Sequence, residues 1–207
     1  MTLSKDNHTV KKLLVEMGFG DVIICDLKGA ISRDDDELTS VKLEIAYVTN
    51  KDNTRGSLKK VIAGADEFIG VSRPNQLTAE DVSRMGKDSI IMAMATPVPE
   101  IMPNEAQKGG ALVIGTGRSD FPNQINNVST FSGVFKGALR VRAREITDFI
   151  KIAAALAIAN MIPDEMLTHE YILPNPLNKE IAEVVADAVA KEALRIGTAR
   201  VFTTSNN

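Results

Sequence analysis

Tryptophan is absent from the 207 residues, aromatic residues amount to 4%, and there are only one cysteine and two histidines. A single cysteine, Cys25, cannot close an internal disulfide, and one Cys with two His cannot build a zinc cluster. Neither sign of charge dominates, since 24 Lys and Arg against 27 Asp and Glu leave a formal net charge of −3. A slightly acidic chain has no field to attract phosphate backbones, so no nucleic-acid partner is expected. Long apolar runs are missing too. The most apolar helical stretch, residues 152–162, is far short of the ~20 residues a membrane helix needs. No membrane partner is expected. Residues 1–11 are polar and carry no apolar signal core, so the expected location is cytoplasmic.

What is present is a balanced globular composition, with 44% apolar and 25% charged residues. Short apolar runs that do not alternate with polar residues recur: Val22-Ile-Ile-Cys25, Phe68-Ile-Gly-Val71, Ile90-Ile-Met-Ala-Met94 and Ala111-Leu-Val-Ile114. Strands covered on both faces read this way, as in a parallel sheet. Between them lie segments of helical period. Val10, Leu13, Leu14 and Met17 form one stripe, with Gly18 as a stop. Further helices are expected near 37–48, 56–62, 78–85 and 103–108, with Thr78 and Asp81 spaced as a capping box. Strand alternating with helix predicts an α/β fold with a sheet region over about 8–127. Two long helices, near 146–161 and 178–196, form a helical C-terminal extension over about 128–200. Ile181, Val184, Val185 and Ala188 give the second its apolar face. The extension is expected to pack on the sheet region, so that residues 1–207 make one domain.

Three features could carry chemistry. Asp26 ends the first apolar run; an acid there either accepts hydrogen bonds from an adenosine ribose or simply turns the chain. Lys28, two residues on, counts against the first reading. The Gly-x-Gly-x-x-Gly turn of a dinucleotide fold is absent, and Gly18-Phe-Gly20 follows a helix instead of opening one. Gly70-Val71-Ser72 ends the second run, where small residues either admit a ligand or make an ordinary turn. The loop after the fourth run gathers Arg118, Ser119, Asp120, Gln124 and three asparagines, suited to a polar carboxylate-bearing molecule or merely to solvent. The acidic run at 34–37 reads as an exposed helix start and not a cation site. His8 and His169 read as surface residues, and Cys25 as a small buried hydrophobe.

These stretches carry a resemblance. Ile23-Ile-Cys-Asp-Leu-Lys-Gly-Ala30, Gly64-Ala-Asp-Glu-Phe-Ile-Gly-Val-Ser72, Pro99-Glu-Ile-Met-Pro103, Thr116-Gly-Arg-Ser-Asp-Phe-Pro-Asn-Gln-Ile-Asn-Asn127, Phe135-Lys-Gly-Ala-Leu-Arg-Val-Arg-Ala143 and Tyr171-Ile-Leu-Pro-Asn-Pro176 match bacterial short-form malic enzymes. Over roughly residues 8–200 the chain resembles their C-terminal, NAD-binding part. The resemblance implies a Rossmann-like parallel sheet and oxidation of malate by NAD, less readily NADP. Carbon dioxide is then lost to leave pyruvate, with Mg or Mn as the metal. It implies that Asp26 holds the adenosine ribose, that Gly70, Val71 and Ser72 line the cofactor, and that Asn126 faces the cofactor and Asn127 the substrate. Thr96 stands where the family carries an asparagine directed at substrate and cofactor. The family's catalytic tyrosine and lysine, its metal-binding acids, its first strand and its Gly-rich loop fall upstream of the matched stretches. No catalytic residue and no metal ligand is therefore expected in this chain. The first strand is expected to lie between the 22–25 and 68–71 strands, and without it two strand edges would face a gap. The chain alone is expected to be inactive, paired with an N-terminal half in trans and homodimeric when intact. The alternatives are a non-catalytic truncated remnant and a nucleotide- or protein-binding module.

Overall fold

A computed structural model of the chain describes residues 13–200. The chain divides into two compact units, Met1–Pro122 and Asn123–Asn207. In the first unit residues 13–16 are helical; Val10 and His8 lie outside the described residues. There follow β1 (Cys25–Asp26), β2 (Gly29–Ala30), α1 (Ser40–Val48), α2 (Leu58–Val61), β3 (Glu67–Gly70), α3 (Ala79–Ser83), β4 (Ile90–Ala93), α4 (Pro103–Lys108) and β5 (Val113–Thr116).

The sheet β3-β4-β5 is parallel, with Phe68 opposite Ile91 and Ile91 opposite Ile114. Helices α3 and α4 are the crossovers that parallel neighbours require. Phe68, Ile91 and Ala93 point into a core shared with Leu77, Val82, Met85, Ile101 and Ala106. Burial alternates along β3 and β4 although the sequence does not, and Ile69, Ile90 and Met92 on the opposite face are half-buried. The expectation of strands fully covered on both faces is corrected to that extent. Thr78 and Asp81 do close a reciprocal capping box at the start of α3, which pins the turn after β3.

The 22–25 run is the larger correction. Strand pairing begins only at Cys25, and β1 pairs antiparallel with β2 and not with the parallel sheet. The backbone of 22–24 is extended but bonds locally: Ile31 N–H donates to the Ile24 carbonyl at 2.8 Å and Asn50 N–H to the Val22 carbonyl at 3.0 Å. A strand is defined by its neighbour, and no described residue supplies a parallel neighbour here. Ile24 instead joins Ile31, Ile45 and Ala46 in a small separate core. The acidic run at 34–37 is a turn ahead of α1, capped by Thr39, and not the helix start itself.

The second unit is helical: α5 (Asn127–Arg140), α6 (Asp148–Ala159), a 3₁₀ turn at Asp164–Met166 and α7 (Glu180–Arg195). Helix α5 is missed by the sequence reading, for the reason that also makes it pack. Gly133 and Gly137 are poor helix formers, but a Cβ on Gly133 would lie 2.6 Å from Val185 Cβ, and one on Gly137 2.4 Å from the Ala186 carbonyl. The glycines let α5 and α7 approach backbone to backbone, flanked by ion pairs of Lys136 with Glu183 and of Arg140 with Glu183 and Asp187. The buried face of α7 runs through Ile181, Val185, Val189 and Ala193, with Val184 turned outward, so the expected face is rotated by part of a turn.

Candidate functional site

The carboxyl ends of β3, β4 and β5 share one edge of the parallel sheet, the edge at which open α/β sheets take ligands. Three chain segments leave it: Gly70-Val71-Ser72 from β3, Met94-Ala95-Thr96 after β4, and Thr116-Gly117-Arg118 from β5. Each is kept close for an identifiable reason. Met94 N–H donates to the Gly70 carbonyl at 3.0 Å. A Cβ on Gly117 would lie 3.2 Å from Thr96 Oγ1, and one on Gly70 2.5 Å from Glu100 Cδ. Glycine is therefore required at 70 by the neighbour packed against it, not by a left-handed turn.

Glu100 is fully buried beneath this edge. Its Oε1 accepts from Ser72 N–H at 2.8 Å and its Oε2 from Ala95 N–H at 3.0 Å. The Ser72 hydroxyl, by contrast, is buried with no hydrogen-bond partner. A buried hydroxyl left unsatisfied has a real free-energy cost and in native proteins calls for a ligand or water. Arg118 makes a bidentate pair with Asp120, at 2.9 and 2.6 Å, and lies 5.7 Å over the Phe121 ring. That pairing raises the guanidinium pKa and lowers that of Asp120.

Asp26 ends β1 in a tight turn. Its Oδ1 accepts from Lys28 N–H at 2.7 Å, and its Oδ2 pairs with the Lys42 ammonium on α1. Burial works against ionisation, but the hydrogen bonds from Lys42 and Lys28 outweigh it and hold Asp26 below the usual carboxylate range. Lys28 itself turns away to pair with Glu37. The cation that bears on Asp26 is thus Lys42, which sequence spacing did not bring out.

An open cleft of about 470 Å³ runs between the extended residues 20–25 and the side of β3 that no described strand pairs. Val22, Ile23, Ile62, Glu67, Phe68 and Ile69 contribute to its walls. Burial pushes the Glu67 carboxyl up. Cys25 also lines the cleft, a fully buried thiol whose pKa burial raises.

The remainder of the polar loop belongs to the second unit. Asn123 anchors it: its amide donates to the His169 carbonyl at 2.9 Å and its oxygen accepts from Ile172 N–H at 2.9 Å. Asn126 caps α5, its side chain accepting from Val128 N–H at 2.8 Å, and Asn127 is the first residue of that helix. Both asparagines are exposed, as is His169.

Residues 7–194 match the family model described as malic enzyme, NAD binding domain. The chain belongs to the malic enzyme family. It is 52% identical to the bifunctional malic/malolactic enzyme of Bacillus subtilis, over 92% of this chain and 47% of that protein. It is 49% identical to the NAD-dependent malic enzyme of Geobacillus stearothermophilus, over 91% of this chain and 39% of that one. The crystal structure of malic enzyme from Pyrococcus horikoshii aligns with a TM-score of 0.86 at 39% identity, over 93% of this chain and 46% of that one. The chain thus spans about half the length of the curated relatives it matches.

Membership of the malic enzyme family gives the sheet edge its meaning. Gly70, Val71, Ser72 and Thr96, expected at the cofactor, converge on that edge, and the orphaned Ser72 hydroxyl with the closely approached backbone fits a dinucleotide. Asp26 sits at the end of a separate extended segment. Mg or Mn does not fit here: among the described residues no three His, Cys, Asp or Glu side chains converge to hold an ion. Glu100 and Lys42 are the residues that sequence reasoning missed. The one available signal was a carboxylate set among Val98, Pro99 and Ile101, an apolar context that marks a buried acid. Among the described residues no helix is long and apolar enough to cross a membrane.

Proposed function

We propose that this chain is the NAD-holding part of an enzyme that oxidises malate and releases pyruvate and carbon dioxide. The reaction moves a hydride from the hydroxyl-bearing carbon of malate to NAD⁺ and a proton from its hydroxyl to a base; the resulting keto acid loses carbon dioxide, and the enolate left behind takes a proton from an acid to give pyruvate. The bound nicotinamide supplies the hydride acceptor. The residues of this chain bind and orient. Ser72 Oγ would hydrogen-bond the cofactor, the Gly70 and Val71 backbone would admit its close approach, and Thr96 would border it from the segment after β4. Asp26 accepts from the ribose hydroxyls, and its negative charge disfavours a 2′-phosphate, so NAD is preferred over NADP. Asn126 is assigned to the cofactor and Asn127 to malate. The location proposed for it is the cytoplasm.

The observation that carries the reading is the buried, partnerless Ser72 hydroxyl at the carboxyl edge of the sheet. The test is a thermal melt with and without millimolar NAD⁺. A ligand that binds only the native state raises the melting temperature by mass action. A rise that Ser72→Ala reduces supports the reading; an unchanged melting temperature for the unsubstituted chain counts against it.

The acid, base and metal ligands of the reaction are assigned to the N-terminal half of the family's enzymes, and the intact enzyme is a homodimer. The cleft beside β3 supports that assignment, because an extended segment laid there would satisfy the free edge of the sheet. Catalysis by this chain alone is not part of the proposal.

A further inference from the structure

Glu100 has no part in the reading above, yet its contacts tie the two ligand-facing segments together. Among the described charged residues of the first unit it is the most completely buried, at 0% exposure. Each carboxylate oxygen holds a different segment, Oε1 the Ser72 amide at 2.8 Å and Oε2 the Ala95 amide at 3.0 Å. Its own carbonyl accepts from Gln76 N–H at 2.7 Å and Leu77 N–H at 3.2 Å, which fastens the far end of the loop after β3. The side chain also occupies the space that a Cβ on Gly70 would need. A buried carboxylate is costly unless its oxygens are satisfied, so the two segments and Glu100 hold one another in a single arrangement.

We infer that Glu100 is a positioning residue: it sets the spacing of the Gly70-Ser72 and Met94-Thr96 segments and so presents Ser72 Oγ and Thr96 to the dinucleotide. This inference rests on the NAD reading of the same edge. Glutamine is the informative replacement, being equal in size but with one acceptor and one donor. In Glu100→Gln either the Ser72 or the Ala95 amide faces an NH₂ group, and one segment is released while the packing is kept. Gly70→Ala displaces the carboxylate from the other side and should act alike. Asp81→Asn is the control, since Asp81 is a buried acid of the same unit, at 3% exposure, whose side chain bonds to Thr78 and Arg84 and to neither segment.

The experiment measures NAD⁺ affinity by calorimetry at a temperature where every variant is folded, and amide hydrogen exchange without ligand. The expected result is that Glu100→Gln and Gly70→Ala weaken NAD⁺ binding about tenfold. Exchange at Ser72 and Ala95 should quicken selectively, about tenfold. Asp81→Asn should lower the melting temperature and leave affinity unchanged. If Glu100→Gln behaves like Asp81→Asn, less stable but binding NAD⁺ as before, Glu100 is only a stabiliser and the inference falls. If the unsubstituted chain binds no NAD⁺, the functional reading fails instead. The exchange rates then decide the clamp by themselves, and unselective exchange in Glu100→Gln would overturn it.

Discussion

At the scale of single residues, two depressed carboxylates should dominate the acid limb of stability. Asp81 is buried, which opposes its ionisation, but the Thr78 hydroxyl and amide, Lys59 and Arg84 hold its pKa below the ordinary 3.8. A group whose folded pKa is depressed contributes stability that is complete above its unfolded value and is lost as pH falls through its folded value. Asp26, held down by Lys42 and Lys28, adds in the same direction. These two groups should therefore make the melting temperature fall below pH ~4, while the raised Glu67 carboxyl adds a smaller opposite slope above its ordinary 4.5. In Asp81→Asn the fall should be shallower, and the loss at pH 7 should be about 2 kcal/mol, since a capping carboxylate and a buried ion-pair partner go together. A pH profile of chemical denaturation reads both; equal slopes in the two proteins would sink the account. Asp26 carries a second expectation. Removing its charge in Asp26→Asn leaves Lys42 unpaired beside the ribose position, so the ratio of NADP⁺ to NAD⁺ affinity should rise about tenfold, by the ordinary worth of one charge-assisted contact. A ratio unchanged in a competitive titration would remove Asp26 from cofactor choice.

At the scale of elements, helix α5 is held by what it lacks. Two mid-helix glycines cost about 1 kcal/mol each relative to alanine in an isolated helix. They are tolerated because α7 packs into the space that side chains would fill, with backbone atoms 2.4 Å from an added Cβ at 137. Gly137→Ala should therefore destabilise the second unit by about 1–3 kcal/mol, the overpacking range, although it raises intrinsic helix propensity. A helix-coil account predicts the opposite sign, so one denaturation curve separates them. The same residues explain what could be read in advance. Strands β3, β4 and β5 and helices α3, α4, α6 and α7 were legible, because their apolar periodicity and the Thr78–Asp81 cap are local signals. Helix α5 was not, because its stability lies in a partner far along the chain. The 22–25 run read as a strand of the parallel sheet, but strand pairing is a property of two segments and only one was in view. In the candidate site, Gly70, Ser72 and Asp26 announced themselves as small or acidic residues at strand ends. Glu100 and Lys42 did not, because a buried acid's worth lies in the amides that surround it and a lysine's in the acid it meets.

At the scale of the whole molecule, the sheet is an unbalanced object. Among the described residues strand β4 is paired on both sides, β5 and β3 on one, and alongside β3 lies the cleft of about 470 Å³ with Phe68 and Ile69 in its wall. Parallel sheets persist when their edges are covered, and an edge flanked by a second extended segment is a template for strand addition. The walls are mostly apolar, with Val22, Ile23 and Ile62 facing Phe68 and Ile69, so the segment that fits is an apolar strand and not a charged one. Asp21, Asp66 and Glu67 are the acids in those walls, and the raised pKa of Glu67 reflects the burial it already has there. Covering it further should raise that pKa more, so the assembled form should be stabilised by mildly acid pH relative to the chain alone. The decisive preparation is this chain co-expressed with the N-terminal half of the Bacillus subtilis relative, to which it is 52% identical. The two should co-purify, β3 amides should gain protection from hydrogen exchange, and malate-dependent NADH should appear by its absorbance. Co-purification with β3 protection but no NADH would place the fault in the catalytic half or in Thr96. No co-purification, with β3 exchanging as before, would mean that the cleft is not a strand site and that the N-terminal half does not assemble on this chain.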